Sequence, residues 1–461
     1  MIRFLRNRLL RDTATLQVGT LLNALSNLAG TIAIAYLLGA REQGRFYVAI
    51  ALYSLLWFVL NQGVHTAAVA QVAAATSRGL VQKSAAWLAF VAKAYVVIGL
   101  VLAAAGWLLL PLAGRHLFHV DEEPIRWALW LTISPLVEMP RVVAGVGLQG
   151  TRRMLPFARV ENAQELARLF LVVSGALLTG TAAGAIAGTL LSSAVGSVVA
   201  IELYRAERRR VPDLLPPLRE IARQVRDVPL RVGLPLGIKM GLVRSIDAIA
   251  TQVLPSLVLQ RFGTSEWVAY LRIAQRLMAI PLLFMQGVSR AVLPALSELV
   301  GLRDMDRFRR TYVRATLISG AVGCTALLLC VLVLPAVLDL TFPRSYREPV
   351  WIAALILLPG CMVLSFSIAN DTFYLATDTL RVGVLLCVAG LLVNGAVVTL
   401  LAAQVPTTGV AWGLSFTLAT SVMHHVHAAL WFRRRARAGP GGPAPASDRP
   451  ATPPLPAHTD G

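Results

Sequence analysis

Charge is what this sequence lacks most. Of its 461 residues 15% are charged and 56% hydrophobic, with mean hydropathy +0.66. Soluble domains carry about 25% charged residues, so a soluble globule is excluded. Acidic residues are scarcer than basic ones: 24 Asp and Glu stand against 43 Lys and Arg, for a formal net charge of +19. In a soluble chain that excess would point to nucleic acid. In a chain this apolar the placement of the basic residues decides their meaning. The four cysteines, Cys324, Cys330, Cys361 and Cys387, lie inside apolar runs and imply neither a disulfide framework nor a Cys-rich metal site. Alternating ten-residue segments are missing, which excludes an outer-membrane barrel. Long outer loops are missing too, since the longest, 113–124, spans twelve residues and offers only three carboxylates, Asp121, Glu122 and Glu123, to any extramembrane catalysis.

What remains is a helical membrane bundle. A helical span needs roughly 20 apolar residues, and the sequence accommodates twelve such spans: 15–38, 46–74, 84–112, 125–149, 158–180, 184–204, 232–259, 267–292, 314–338, 350–374, 382–404 and 409–432. Arg3, Arg6, Arg8 and Arg11 precede the first run as in a signal peptide, but that run exceeds a signal peptide's 7–15 apolar residues and is read as a membrane helix. The segments alternating with the spans, counted from the N-terminus, hold 28 Lys and Arg. The other set holds seven: Arg41, Arg45, Arg115, Arg126, Arg261, Arg344 and Arg347. Positive charge stays inside, so both termini are expected in the cytoplasm of a multi-pass membrane protein.

The expected organisation is an N-terminal lobe at 1–204, an amphipathic cytoplasmic linker at 205–231, a C-terminal lobe at 232–432 and a disordered cytoplasmic tail at 433–461. The linker places Leu218, Ile221, Val225 and Val228 on one helical face, as a helix lying on the membrane surface would. The tail is rich in Gly, Pro and Ala and cannot bury a core. The lobes read as an internal repeat. Gly39, Glu42 and Gln62-Gly63-Val64 recur 224 residues later as Gly263, Glu266 and Gln286-Gly287-Val288, aligning Asn23 with Asp247. Gly184, Gly188 and Arg208-Arg209-Arg210 recur 225 later as Gly409, Gly413 and Arg433-Arg434-Arg435. Six spans per repeat place both halves in one orientation about an axis along the membrane normal, with a substrate site between them.

Charges inside the spans mark candidate sites. Lys93, Arg141, Arg168, Lys239, Arg244, Arg272, Arg276 and Arg290 face only Glu138, Glu202, Asp247 and Asp371, with Glu161 and Glu165 at the entrance of span five. A charge facing lipid costs about 2.5–3.5 kcal/mol, so most must pair, snorkel or line a wet cavity. The cationic excess favours an anionic ligand such as pyrophosphate, for which Arg offers bidentate donors. At 100° per residue Arg272, Arg276, Gln286 and Arg290 form one stripe along span eight. The expected substrate-binding set is Arg276, Arg272, Arg290, Gln286, Lys93, Lys239, Arg244, Asn23 and Gln62. Lys93 has no partner within its own helix and is assigned a cavity-facing role. Candidates for proton or sodium coupling are Asp247, Glu165, Glu138 and Asp371. Against these stand ion pairs that only hold helices: Glu138 with Arg141, Glu161 and Glu165 with Arg168, and Arg244 with Asp247. His424, His425 and His427 read as interfacial side chains rather than metal ligands, and no cofactor is expected.

Several motifs carry a family resemblance. Leu37-Leu38-Gly39-Ala40-Arg41-Glu42-Gln43-Gly44-Arg45-Phe46-Tyr47 resembles an LGPxxxGxY loop, with Ala40 in place of the proline, and Leu148-Gln149-Gly150-Thr151-Arg152-Arg153 resembles an LQG-basic turn. Asp247, the stretch 263–270, Leu293-Pro294-Ala295-Leu296-Ser297, Asn394 and Gly409-Val410-Ala411 add matches in the same order. The chain is similar to the polysaccharide transporter family, the O-antigen and exopolysaccharide repeat-unit flippases of the multidrug/oligosaccharidyl-lipid/polysaccharide superfamily. That resemblance implies a MATE-like fold and movement of undecaprenyl-pyrophosphate-linked oligosaccharide across a bacterial inner membrane. It also implies, as partners, the lipid-linked oligosaccharide, membrane lipids, and the polysaccharide polymerase and chain-length machinery, with no nucleic acid. The alternatives are a drug or small-solute exporter of the same superfamily and a peptidoglycan-precursor lipid flippase. A polymerase lacks its outer loop here, and the acidic-basic signature of the major facilitators is absent from 75–84.

Overall fold

The computed structural model describes residues 2–57, 63–234, 237, 241, 245–302, 304–377 and 379–438, and no strand occurs among them. The first helix, α1 (Ile2–Trp57), is broken at Gly39, whose φ of 71° and ψ of 175° leave the helical region and divide the first expected span from the second. Next come α2 (Gly63–Thr76) and α3 (Val81–Leu112), the latter running into a π turn at Ala113–Leu117. The fourth span is split into α4 (Glu122–Leu131) and α5 (Ser134–Gly150). A hairpin follows, α6 (Met154–Thr179) and α7 (Ala182–Arg210), turned at the left-handed Gly180. After the short α8 (Leu218–Gln224), a π turn at Ile249–Val253 leads into α9 (Leu254–Phe262). The chain continues with α10 (Ser265–Gly301), α11 (Met305–Thr341), α12 (Arg344–Ser365), α13 (Asn370–Ala376), α14 (Leu380–Gln404), α15 (Gly409–Ala419) and α16 (Val422–Ala438).

Seven helical segments among the described residues are by length and composition able to cross a membrane, against the twelve spans expected. They are Gly19–Leu56, Val81–Leu117, Glu122–Gly150, Ala182–Arg210, Met305–Thr341, Arg344–Ser365 and Arg381–Gln404. The shortfall has physical reasons. The first two expected spans share one segment across the Gly39 break. The helix α6 carries Arg159, Glu161, Glu165 and Arg168, and the described side chains of α10 over 265–282 include Glu266, Arg272 and Arg276, so both are too polar. The last span breaks between α15 and α16, and the second and seventh pass through undescribed residues.

The repeated glycines do the same work in both halves. A methyl on Gly184 or Gly188 of α7 would overlap a backbone carbonyl of α6, that of Gly175 or Leu171. In the second half a methyl on Gly409 would overlap the Leu401 carbonyl, and one on Gly413 would sit 2.7 Å from the Val398 Cα of α14. Small residues let backbones approach where lipid supplies no hydrophobic drive between helices.

Two expectations change. The apolar face of the linker does not meet the membrane: Leu215 and Ile221 are buried, and Leu218, Val225 and Val228 pack on the core formed by α2, α3, α5 and α7. The Tyr204 hydroxyl donates to the Pro216 carbonyl at 2.8 Å, tying the linker to α7. Helix also continues past Arg433 to Ala438, where disorder was expected, because Trp431 and Phe432 pack on Phe308 and extend the last span. Residues 439–461 of that tail lie outside the described residues.

Gly409→Ala is expected to lower the melting temperature in detergent, with a cost of about 1–3 kcal/mol for a methyl forced into a close-packed seam. Gly390→Ala is the control. Its methyl would meet nothing nearer than Asn394 Nδ2 at 3.8 Å, so the helix should gain about 0.5–1 kcal/mol.

Candidate functional site

Polar residues recur every fourth position along the first half of α1, as Asn23, Asn27 and Thr31, and so share one face of the helix. That face lies between α6, which carries Glu165 and Arg168, and α10, which carries Arg272 and Arg276. Toward α6, Asn27 Nδ2 donates to Glu165 Oε2 at 3.2 Å, Arg168 donates to Asn27 Oδ1, and Arg168 and Glu165 form an ion pair one turn apart. Asn27 Nδ2 also donates to the Asn23 carbonyl at 2.9 Å, while the buried Asn23 Oδ1 has no hydrogen-bond partner among the described residues.

A second cluster ties α5, α6 and α7. Arg141 Nη1 donates to Glu161 at 2.8 Å and Nη2 to Glu138 at 3.3 Å. Glu138 in turn accepts from Ser193 at 2.8 Å and Ser134 at 3.3 Å. Arg141 therefore closes one turn of its own helix, as expected, and also reaches Glu161 on α6.

The third cluster lies where the halves meet. Arg276 Nη1 donates to Thr31 Oγ1, and that hydroxyl donates to the Asn27 carbonyl at 2.7 Å. Gln43 Nε2 donates to the Thr31 carbonyl at 3.1 Å, bracing α1 across its break. Arg276 Cζ stands 5.2 Å from the ring centroid of Tyr47, and Arg272 Cζ 5.8 Å from the same ring. Arg272 donates to Gln275 Oε1 at 3.3 Å, and Gln275 donates to the Thr251 carbonyl at 2.7 Å. Neither guanidinium makes a salt bridge to a described carboxylate, whereas Arg141 and Arg168 each do. This is the chemical distinction of the site: two cations, one turn apart, held by a π face and neutral oxygens.

The remaining candidates fall elsewhere. Lys93 does not face this cluster; its Nζ donates to the Arg226 and Val228 carbonyls at 2.9 Å each and clamps the linker onto α3. Asp247 is exposed, and its carbonyl accepts from Thr251 at 2.8 Å. Glu202 pairs with Arg205 at 2.6 Å on the exposed end of α7. His424 and His425 hydrogen-bond Tyr374, Tyr312 and Ser367, and His427 stacks on Tyr374 at 5.6 Å, so the three belong to an aromatic cluster rather than a bare interface. Gln62, Lys239 and Arg244, and the side chains of Gln286, Arg290 and Asp371, lie outside the described residues. The residues missed in the sequence are Asn27, Thr31 and Tyr47; the four-residue spacing of the first two was a visible signal.

With this geometry in place the comparisons become informative. The polysaccharide biosynthesis protein family matches residues 9–300. The chain belongs to that family. No curated protein matches the sequence. Among solved structures this family member is similar to an inward-facing multidrug resistance MATE family transporter of the MOP superfamily, 15% identical over 90% of this chain and 96% of that one, with a TM-score of 0.69. It is also similar to the lipid II flippase MurJ in an inward closed conformation, 14% identical over 90% and 87%, TM-score 0.68. A third is the Vibrio cholerae MATE transporter VcmN, 15% identical over 94% and 97%, TM-score 0.62. These identities establish the fold: the protein is a multi-pass membrane protein of MATE-like architecture.

Removing Arg141 would strand two carboxylates in a half-buried cluster. Arg141→Met is expected to cost about 3–5 kcal/mol and to lower the folded fraction, read by thermal unfolding in detergent. The triple replacement of Arg141, Glu138 and Glu161 by Met, Gln and Gln should recover most of it, because no charge is then left uncompensated.

Proposed function

We propose that this protein is a flippase for undecaprenyl-pyrophosphate-linked oligosaccharide, moving the repeat unit from the inner to the outer leaflet by alternating access of its two halves. The observation that carries the reading is the pair Arg272 and Arg276 on α10, facing α1 without a carboxylate neighbour among the described residues. Membership of a polysaccharide biosynthesis family supports the carbohydrate cargo. A guanidinium in a low-dielectric span has an energetic demand for an anion, and a pyrophosphate meets it bidentately. The head group and sugars would occupy the space between the halves while the polyprenyl tail stays in lipid. A drug exporter for cations would carry acid at this position, where the protein carries two bases. Energy coupling is assigned to the carboxylates Glu165 and Glu138, whose partners Asn27, Ser134 and Ser193 include neutral donors able to accommodate a change in their charge.

Arg276 gives the direct test. In a flippase-deficient strain, Arg276→Lys should retain part of the surface polysaccharide, Arg276→Ala should lose most, and Arg276→Glu nearly all, each normalised to membrane-inserted protein. Lys keeps the charge and loses the fork; Glu repels the pyrophosphate. Wild-type polysaccharide from the Glu variant at equal protein level overturns the reading. The orientation follows from the charge asymmetry of the loops: a cysteine placed at Asp121 should react with an impermeant reagent from the periplasm, and one placed at Asp213 should not.

A further inference from the structure

The ring of Tyr47 is placed where a counterion would be. Tyr47 is 2% exposed, in the second half of α1, and both guanidiniums of α10 stand over its face. Its hydroxyl is buried and makes no hydrogen bond among the described residues, so the ring makes the contact that matters. Beside it, Tyr270 and Tyr346 of the second half pack edge to face at 5.3 Å, and the Tyr346 hydroxyl, within electrostatic reach of Tyr47, likewise has no hydrogen bond among the described residues. The backbones meet close by: a methyl on Gly44 would overlap the carbonyl of Ser265, the first residue of α10. Contacts between the halves at this end include Gly44 against Ser265, Arg261 against His119, Tyr47 and Thr31 against Arg272 and Arg276, and an apolar core shared by α1 and α10.

Arg272 and Arg276 sit four residues apart on one helix face and repel each other. What offsets that repulsion across the seam is a π face and one hydroxyl, both weaker partners for a guanidinium than a phosphate oxygen. We propose that the Tyr47 ring is a displaceable counterion: it holds the halves together through Arg272 and Arg276, and a phosphate-type anion reaching those guanidiniums displaces it and frees the Gly44–Ser265 seam to part. Tyr47 is thus a positioning residue, acting through the arginines. This rests on the reading of Arg276 as a head-group ligand and adds to it the step by which binding leads to opening. The anion has two sources, the pyrophosphate of the cargo and the headgroup of an acidic phospholipid, and the cargo is the one assigned.

The test uses the full chain with its four cysteines replaced and spin labels at Glu122 and Ser345, exposed positions at this end of each half, in phosphatidylcholine nanodiscs. The wild-type sequence should show a narrow distance that widens with inorganic pyrophosphate. Tyr47→Phe should behave the same, since it keeps the π face. Tyr47→Leu should be wide before any anion is added, with the wide-to-narrow ratio raised roughly tenfold, the scale of a desolvated cation–π contact. A Tyr47→Leu protein as narrow as wild type overturns the latch, as does a Tyr47→Phe protein as wide as the Leu variant. Widening by phosphatidylglycerol nanodiscs alone, with no further response to pyrophosphate, overturns the assignment to cargo. These outcomes are separate from the polysaccharide assay on Arg276→Glu, so the latch can fail while the flippase reading stands.

Discussion

A hydrocarbon interior offers a charge nothing, and the partner each span charge finds decides what that charge does. Arg141 has two carboxylates, themselves bound by serines, and Arg168 has a carboxylate and an amide. Those cations are spoken for, and their helices, α5, α6, α7 and the first half of α1, are fixed to one another by them. Arg272 and Arg276 have a ring, a hydroxyl and a glutamine. The difference is one of kind. A compensated ion pair has low affinity for a further anion, while an uncompensated guanidinium keeps most of its own.

The same solvent governs the backbone. With no water to satisfy amides, the chain is helical nearly throughout its described length, and with no hydrophobic drive between helices it associates through close packing. That is why glycines recur at equivalent places. Gly184 and Gly188 seat α7 on α6, and Gly409 and Gly413 seat α15 on α14. These hairpins lie within the halves. Between the halves the packing is also glycine-dependent, at Gly44 against Ser265 and at Gly63 against Gly237, but there few polar bonds reinforce it. Rigid hairpins that meet across an apolar seam with few polar bonds among the described residues suit rigid-body motion of one half against the other.

Much of this was legible in the sequence, and what was not has a common cause. Apolar runs gave the helices, because a span is a local property of about 20 residues. The repeat gave the paired hairpins, because the glycines are separated by a fixed offset. That Arg272 and Arg276 share one face of α10 followed from helical period alone. Partners across helices did not follow: that Lys93 clamps the linker carbonyls, that Arg141 reaches Glu161, and that Tyr47 underlies both arginines are statements about pairs up to 229 residues apart, with no periodicity to betray them. The linker shows the converse error. Its amphipathic pattern was right, but a pattern cannot say whether the apolar face will meet lipid or the protein's own core.

A transporter must break and remake its inter-half contacts at every turnover, which limits how strong each may be. Taking a two-state equilibrium from 1:99 to 99:1 requires about 5.5 kcal/mol of differential binding. A cation–π contact supplies roughly 0.5–2 kcal/mol, so two of them with one hydrogen bond fall within what a single charged ligand can outbid. A carboxylate in place of the Tyr47 ring would raise the cost of separation to about 3–5 kcal/mol for each uncompensated charge left behind, and the ligand would then have to displace an acid with its own negative charge. An aromatic face avoids both costs. Its face is negative enough to hold two guanidiniums together, but it carries no net charge, so it repels an arriving anion far less than a carboxylate would and leaves no bare charge when the anion takes its place.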